Sequence, residues 1–189
     1  LQYRGFGTQK AEEELAKLDN VKGIILNGGP LNIVDGKAIE VRDFIYDAGK
    51  ENYPVVNITI AEATAYCDWL TTQDNAHIYR LPTDEEWILG AGHMPKDVSM
   101  NAGHVEPGLT AVDVYSQTTG ACGGIDFWGN CWEWTTSTDT DGQYIIKGGS
   151  WDSKRDDCRS EKSDDVRTGT LGYANVGFRV VRTDVSNDR

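Results

Sequence analysis

The chain has 189 residues, enough for one domain with a core of its own, so we predict a single domain over residues 1–189. A net charge of −12 and a pI of about 4.6 repel phosphate backbones and anionic lipid heads, so nucleic acid is not an expected partner. No apolar run approaches the ~20 residues needed to span a bilayer, so membrane insertion is not expected.

The first fifty residues predict ordinary core-building elements. Strong helix formers with a thin apolar stripe indicate a surface helix over residues 9–18. A β-prone run over residues 22–26 ends at a Gly-Pro turn. Apolar residues then recur near helical spacing over residues 39–48, and Gly49 stands where a glycine commonly ends a helix.

Two helix starts are marked by a capping box, in which a Thr hydroxyl accepts from the amide three residues on and a Glu there reaches back. Thr59 and Glu62 form the first box and predict a helix from about Ile60 to Leu70. Thr83 and Glu86 form the second, directly after a proline. Both boxes define local structure and indicate no chemistry.

The second half of the chain predicts a long loop and then strands. Residues 90–124 are rich in Gly, Asp, Asn, Thr and Ser without a clear period, which predicts a long ordered loop. Short strands are predicted near residues 131–135, 144–147 and 176–182. Helices followed by antiparallel strands indicate the α+β class.

The cysteines leave two alternatives open. Cys67, Cys122, Cys131 and Cys158 contain no CxxC pair, so neither a zinc ribbon nor a thioredoxin-like motif is supported. Four cysteines permit three pairings, between which the sequence does not choose. A bridge from Cys122 to Cys131 across a Gly-rich turn is one alternative, and small buried thiols are the other.

Five different motifs follow one another along the chain. They are Ala65-Tyr66-Cys67-Asp68-Trp69-Leu70, Arg80-Leu81-Pro82-Thr83, Asp126-Phe127-Trp128-Gly129-Asn130-Cys131-Trp132-Glu133-Trp134, Gly148-Gly149-Ser150-Trp151, and Val176-Gly177-Phe178-Arg179. This ordered set resembles the formylglycine-generating-enzyme type of C-type lectin fold over roughly residues 38–182. The resemblance implies an α+β fold, a twisted antiparallel sheet flanked by two helices with long irregular loops. Many members open with a Gly-rich hairpin that a shorter stretch replaces here, so residues 1–35 are the least covered by it.

The resemblance also addresses catalysis. The founding enzymes oxidise a sulfatase cysteine, using two copper-binding cysteines after Gly-Gly-Ser. The later position is Cys158 here, but the earlier one is Ser153, and a hydroxyl is a poor ligand for Cu(I). We therefore expect no enzymatic activity and no required cofactor, with an oxidase or accessory enzyme as the alternative. A second branch needs iron-binding histidines, and no two of His77, His93 and His104 could share one helical turn.

Another group with this fold comprises the variable proteins of diversity-generating retroelements, in which a C-terminal cassette is rewritten at adenines. This resemblance implies a variable ligand-binding region within residues 145–182. Side chains of unrelated polarity between fixed Trp and Gly positions contribute little to a core, and their exchange usually costs within about 0.5 kcal/mol. The implied ligand-binding residues are Trp151, Asp152, Ser153, Lys154, Asp156, Asp157, Lys162, Asp164, Asp165, Val166, Tyr173, Ala174 and Asn175.

The function implied is recognition of a protein or cell-surface ligand, such as a receptor or host surface. The protein itself is then expected on a cell surface, on a virion or as a secreted protein. A solvated charged loop without a ligand is the alternative. Relatives also place a structural calcium ion near the Gly-Asn-Cys-Trp-Glu segment, which makes Asn130 and Glu133 candidate ligands, although Glu133 could equally be a hydrogen-bonded strut. Glu106-Pro107-Gly108 lacks the amide of sugar-binding C-type lectins, so calcium-bridged sugar recognition is not expected.

Overall fold

The computed structural model describes residues 50, 52–74 and 76–185. The helices predicted over residues 9–18 and 39–48 and the strand predicted over residues 22–26 lie outside this part of the chain. The described residues form helices α1 (Ile60–Gln73) and α2 (Asp84–Ala91) and strands β1 (His77–Arg80), β2 (Trp132–Thr138), β3 (Tyr144–Lys147), β4 (Val166–Arg167), β5 (Val176–Gly177) and β6 (Val181–Asp184).

Both capping boxes form as predicted. The Thr59 hydroxyl accepts from the Glu62 amide at 3.2 Å, while the Thr59 amide donates to the Glu62 carboxylate at 2.7 Å. The second box at the start of α2 has the same geometry. Helix α1 runs three residues beyond the predicted end. There the hydroxyls of Thr71 and Thr72 donate to backbone carbonyls of the preceding turn.

The strands form two sheets. One has the order β4-β3-β2-β5, and β1 and β6 form the other. The antiparallel expectation holds except for β2 and β5, which pair in parallel with Trp132 opposite Val176. Parallel pairing requires a crossover, and here the chain between β2 and β5 passes through β3, β4 and two long loops. The strand predicted over residues 176–182 is therefore two short strands in different sheets.

Tryptophans fill much of the core. Trp134 is fully buried against α1, and its indole N–H donates to the Ile58 carbonyl at 3.1 Å. Trp128 belongs to a second apolar cluster with Trp87, beneath the irregular segment over residues 90–124. Trp151 differs from this pattern because it is only partly buried. The four-stranded sheet and α1 thus share one core, and the long loop covers a second.

All four cysteines are free thiols. Cys67, Cys131 and Cys158 are buried and Cys122 is exposed, so the alternative of small buried thiols holds for three of them and the Cys122–Cys131 bridge is not formed. Among the described residues, no helix has the length and apolar character required to cross a bilayer.

Candidate functional site

A tight turn after β3 begins the candidate surface. Gly148 and Gly149 adopt φ of +92° and +75°, in the left-handed region that favours glycine. A Cβ on Gly149 would overlap the sulfur of Cys158, which is fully buried beneath the turn. Packing between a glycine and a cysteine therefore fixes where the following loop leaves the sheet.

The backbone of this loop is held by hydrogen bonds to two other segments. The Trp151 amide donates to the Asn130 carbonyl at 3.0 Å. In return, the amides of His104 and Gly103 donate to the carbonyls of Trp151 and Ser153 at 2.8 and 2.7 Å. These bonds do not involve the side chains of the loop, so they are compatible with many side chains.

Arg155 fastens the next turn of the loop. Its guanidinium donates to the carbonyls of Val98 at 2.8 Å, Lys96 at 2.6 Å and Pro95 at 3.1 Å. A short 3₁₀ turn over Arg155–Cys158 follows, with the side chains of Asp156 and Asp157 on it. Arg155 therefore acts as a framework residue in the middle of the predicted variable region.

Two separate segments meet at the first part of the surface. The Asn175 amide nitrogen lies 3.2 Å from the exposed Asp152 carboxylate, which also accepts from the Ser150 hydroxyl. Partial burial alone would raise the pKa of Asp152, but the hydrogen bonds from Ser150 and Asn175 outweigh it and the pKa is lowered. Exposed Ala174 adjoins Asn175. The predicted neighbours Asp152 and Asn175 are thus brought together.

The second part is a charged cluster centred on Lys162. Its ammonium nitrogen lies 2.8 Å from Asp164, 3.3 Å from Asp165 and 3.5 Å from Asp157. The hydrogen bond with Asp164 is the largest of the interactions that raise the pKa of Lys162. Asp156 pairs instead with Arg159, at 3.1 Å. Each of these four aspartates thus has a basic partner, although one ammonium shared by three carboxylates leaves the cluster with a net negative charge.

Three predicted site residues have framework roles instead. The Ser153 hydroxyl accepts from the Ser150 amide at 2.9 Å. Val166 belongs to β4 and pairs with a residue of β3. The Tyr173 ring packs against Trp134 in the core, with ring centroids 6.0 Å apart. Lys154 is exposed, as the prediction requires.

The predicted calcium ligands are engaged by other groups. The Glu133 carboxylate accepts from the Arg179 guanidinium at 2.5 and 2.7 Å and from the Trp87 indole at 2.6 Å. Asn130 is buried, and its side chain accepts from the Thr110 amide and donates to the Asp126 carboxylate. Because an ion would have to displace Arg179, this pair does not fit calcium, and Glu133 has the strut role given as the alternative.

Sequence reasoning did not single out His104 as part of the site. Its ring lies edge-on to Trp151, with centroids 5.4 Å apart at 70°. Its φ of +59° is unusual for a side-chain-bearing residue, and it allows the amide of His104 to reach the Trp151 carbonyl. No local pattern links the two positions, because they meet only in the folded chain.

The family of the chain follows from its sequence as a whole. The sequence model of one protein family, the sulfatase-modifying factor enzyme 1-like domain, matches residues 40–184 of this chain. The chain belongs to this family. The predicted resemblance to the formylglycine-generating-enzyme type is thereby confirmed, and the two helices and curled sheets fit the C-type lectin-like fold.

Two curated proteins show how this family member relates to longer chains. The inactive C-alpha-formylglycine-generating enzyme 2 of Mus musculus is 29% identical over 162 residues, covering 69% of this chain and 49% of the mouse protein. A protein named as a second glutamine-hydrolysing GMP synthase of Bacteroides thetaiotaomicron is 60% identical over 37 residues, 20% of this chain and 8% of that protein. The chain thus spans half or less of the length of these relatives.

Two solved structures share the fold of this family member. PvdO from Pseudomonas aeruginosa matches with a TM-score of 0.62 and 20% identity, covering 74% of this chain and 65% of that chain. Treponema denticola variable protein 1 matches with a TM-score of 0.58 and 18% identity, covering 70% and 73%. At such identities the likeness establishes the fold alone.

Proposed function

We propose that this chain is a non-enzymatic, ligand-binding member of its family whose C-terminal surface is diversified by a retroelement. The observation that carries the proposal is the meeting of Asp152 and Asn175, whose side chains come from separate segments and lie 3.2 Å apart at the protein surface. These are two of the positions at which the variable-protein resemblance implies exchange. A shared surface is what joint recognition of one ligand requires.

The framework beneath this surface supports side-chain exchange. Backbone hydrogen bonds from Gly103 and His104, together with the Gly149–Cys158 contact, hold the loop without the side chains of Asp152 or Asp156. Exchange of exposed side chains that make no core contact usually costs within about 0.5 kcal/mol. Function can therefore reside in variable side chains on a fixed scaffold.

The contacts of the two would-be copper ligands favour binding over oxidation. Ser153 stands at one position and uses its hydroxyl in the loop framework. Burial raises the pKa of the Cys158 thiol to about 12, which disfavours the thiolate that copper binding requires. The mouse relative is named inactive, in keeping with a non-enzymatic family member. The solved variable protein supports the choice of a diversified surface.

The ligand proposed for this surface is a protein or another component of a cell surface, as in receptor or host recognition. The chain itself is proposed to act on a cell surface, on a virion or as a secreted protein. The exposed charged side chains of the surface, which include Lys154 and Asp164, suit a polar protein partner better than an apolar one.

Sequencing of the gene and its neighbourhood in many related isolates tests the proposal. We expect substitutions at template adenines to concentrate in the codons of exposed surface residues such as Asp152, Asp156 and Ala174, beside a near-copy of the 3′ segment and a reverse transcriptase gene. Codons for Thr64 and Glu85 are the matched control, because these residues are also exposed but lie on the helices. Equal variation in both sets, or no near-copy, would refute diversification.

A biochemical assay addresses the enzymatic alternative separately. The purified chain is titrated with Cu(I), and oxygen consumption is followed with a cysteine-containing peptide. We expect neither stoichiometric copper uptake nor oxygen consumption, whereas an oxidase of the founding type would show both.

A further inference from the structure

The charges of the candidate surface are unevenly compensated. It contains five aspartates, of which Asp156 pairs with Arg159 and three pair with Lys162. Asp152 is the exception. Within the described part of the chain its carboxylate has no Lys or Arg partner, and it accepts hydrogen bonds from the neutral side chains of Ser150 and Asn175 and from its own backbone amide.

Asp152 is also held ionised and in place. Burial would raise its pKa, but the hydrogen bonds together with the electrostatic interaction with His104 lower it, so the side chain carries a negative charge at neutral pH. Ser150 is buried in the turn and Asn175 lies directly before β5, so the carboxylate is held by two hydrogen bonds before any ligand arrives. An exposed carboxylate that is already held in place and has no Lys or Arg partner can bind a cation from another molecule with little loss of conformational entropy.

An aromatic pair adjoins Asp152, since Trp151 is its neighbour in the chain and an electrostatic interaction with His104 contributes to its lowered pKa. Trp151 precedes Asp152 and is partly exposed, and the exposed His104 ring packs edge-on against it with centroids 5.4 Å apart. The His104 amide also donates a hydrogen bond to the Trp151 carbonyl, with 2.8 Å between nitrogen and oxygen, and this bond holds the two residues together. A tryptophan ring attracts cations through its negative face, and arginine also stacks on such rings.

We infer that Trp151, Asp152 and His104 form a subsite for a Lys or Arg side chain presented by a protein partner. The subsite rests on the proposed function and specifies the chemistry of its partner. A guanidinium or ammonium group gains from the carboxylate and from the ring together, whereas an apolar or hydroxyl group gains from one at most. The net charge of −12 also steers basic partners towards the molecule.

The test uses a matched pair of probes, N-acetyl-arginine amide and N-acetyl-citrulline amide, which share a shape and differ in charge. Each is titrated into the ¹⁵N-labelled chain at low ionic strength, with the Trp151 indole signal assigned from the Trp151→Phe variant. We expect the arginine probe to shift the Trp151 indole and the backbone amides of Asp152 and His104 saturably. The citrulline probe should bind about fivefold more weakly, the upper end for one exposed ion pair.

Two charge-removing variants in the same loop separate the subsite from general electrostatics. Asp152→Asn should weaken the arginine probe about fivefold, and Asp156→Asn should leave its affinity within about twofold, because Asp156 already has a cation partner. Asp152→Glu keeps the charge and should keep measurable binding. Spectra with native dispersion show that each variant is folded.

The inference is overturned if arginine and citrulline probes bind alike, if no saturable shift occurs at Trp151, or if Asp152→Asn and Asp156→Asn lose binding equally. The proposed function fails in a different way, through the pattern of codon variation. Arginine binding with uniform codon variation would keep the subsite and reject diversification. Concentrated codon variation with equal binding of both probes would do the reverse.

Discussion

Two arginines four positions apart show how differently equal charges act on this surface. Arg155 donates to three backbone carbonyls of the segment over residues 95–98, while Arg159 forms an exposed pair with Asp156. Hydrogen bonds from a charged donor to backbone acceptors stabilise more than an exposed ion pair does. The residue that fixes the loop is therefore not distinguished by its type or charge.

Arg155→Ala should lower the free energy of unfolding by about 1–2 kcal/mol, because three carbonyls lose a charged donor. Urea denaturation at neutral pH measures the change. Arg159→Ala is the matched control and should stay within about 0.5 kcal/mol of the original chain. Equal losses for both variants would show that the Arg155 contacts contribute nothing specific.

At the scale of elements, the helix starts depend on single hydroxyl groups. Thr59→Ala removes the acceptor for the Glu62 amide at the first turn of α1 and should cost about 1 kcal/mol in the free energy of unfolding. Thr64→Ala, an exposed change in the same helix, should cost nothing or stabilise slightly, since alanine is the better helix former. Thermal unfolding followed by circular dichroism compares the two. A larger loss at Thr64 than at Thr59 would contradict the capping role.

Local chemistry explains which elements could be predicted from the sequence. The capping boxes place both helix starts at the correct residue because donor and acceptor are three positions apart in the chain. Strand pairing has no such local signal. The β-prone run over residues 176–182 therefore gave no indication that Val176–Gly177 and Val181–Asp184 belong to different sheets.

Prediction of the candidate site from the sequence is limited in the same way. The resemblance places Asp152 and Asn175 on one surface, and their contact agrees with it. It also included Tyr173, which packs on Trp134 of the distant strand β2, and it omitted His104, which reaches Trp151 only through the long loop. Roles that depend on tertiary neighbours could not be derived from residue types alone.

At the scale of the whole molecule, two opposing groups of carboxylates set the dependence of stability on pH. Hydrogen bonds to Asp74, chiefly from Tyr79, and to Glu86, chiefly from Arg80, lower both pKa values to about 2. Their stabilisation is present above the ordinary range near pH 4 and is lost as the pH falls towards 2. Asp126 acts in the opposite direction, because burial raises its pKa to about 6 against the hydrogen bonds from Thr118 and Asn130.

Asp126 should therefore make the protein less stable as the pH rises from about 4 to about 6, since the unfolded chain ionises in this range while burial keeps the folded carboxyl protonated. Asp126→Asn should flatten this decline by on the order of 2 kcal/mol, whatever its effect at any single pH. Asp68→Asn makes the same change of charge at an exposed position of α1, and its profile should run parallel to that of the original chain. Urea midpoints at pH 4, 5, 6 and 7 measure all three. A decline of equal slope in the Asp126→Asn variant would assign the pH dependence to the net charge of −12 instead of this one buried carboxylate.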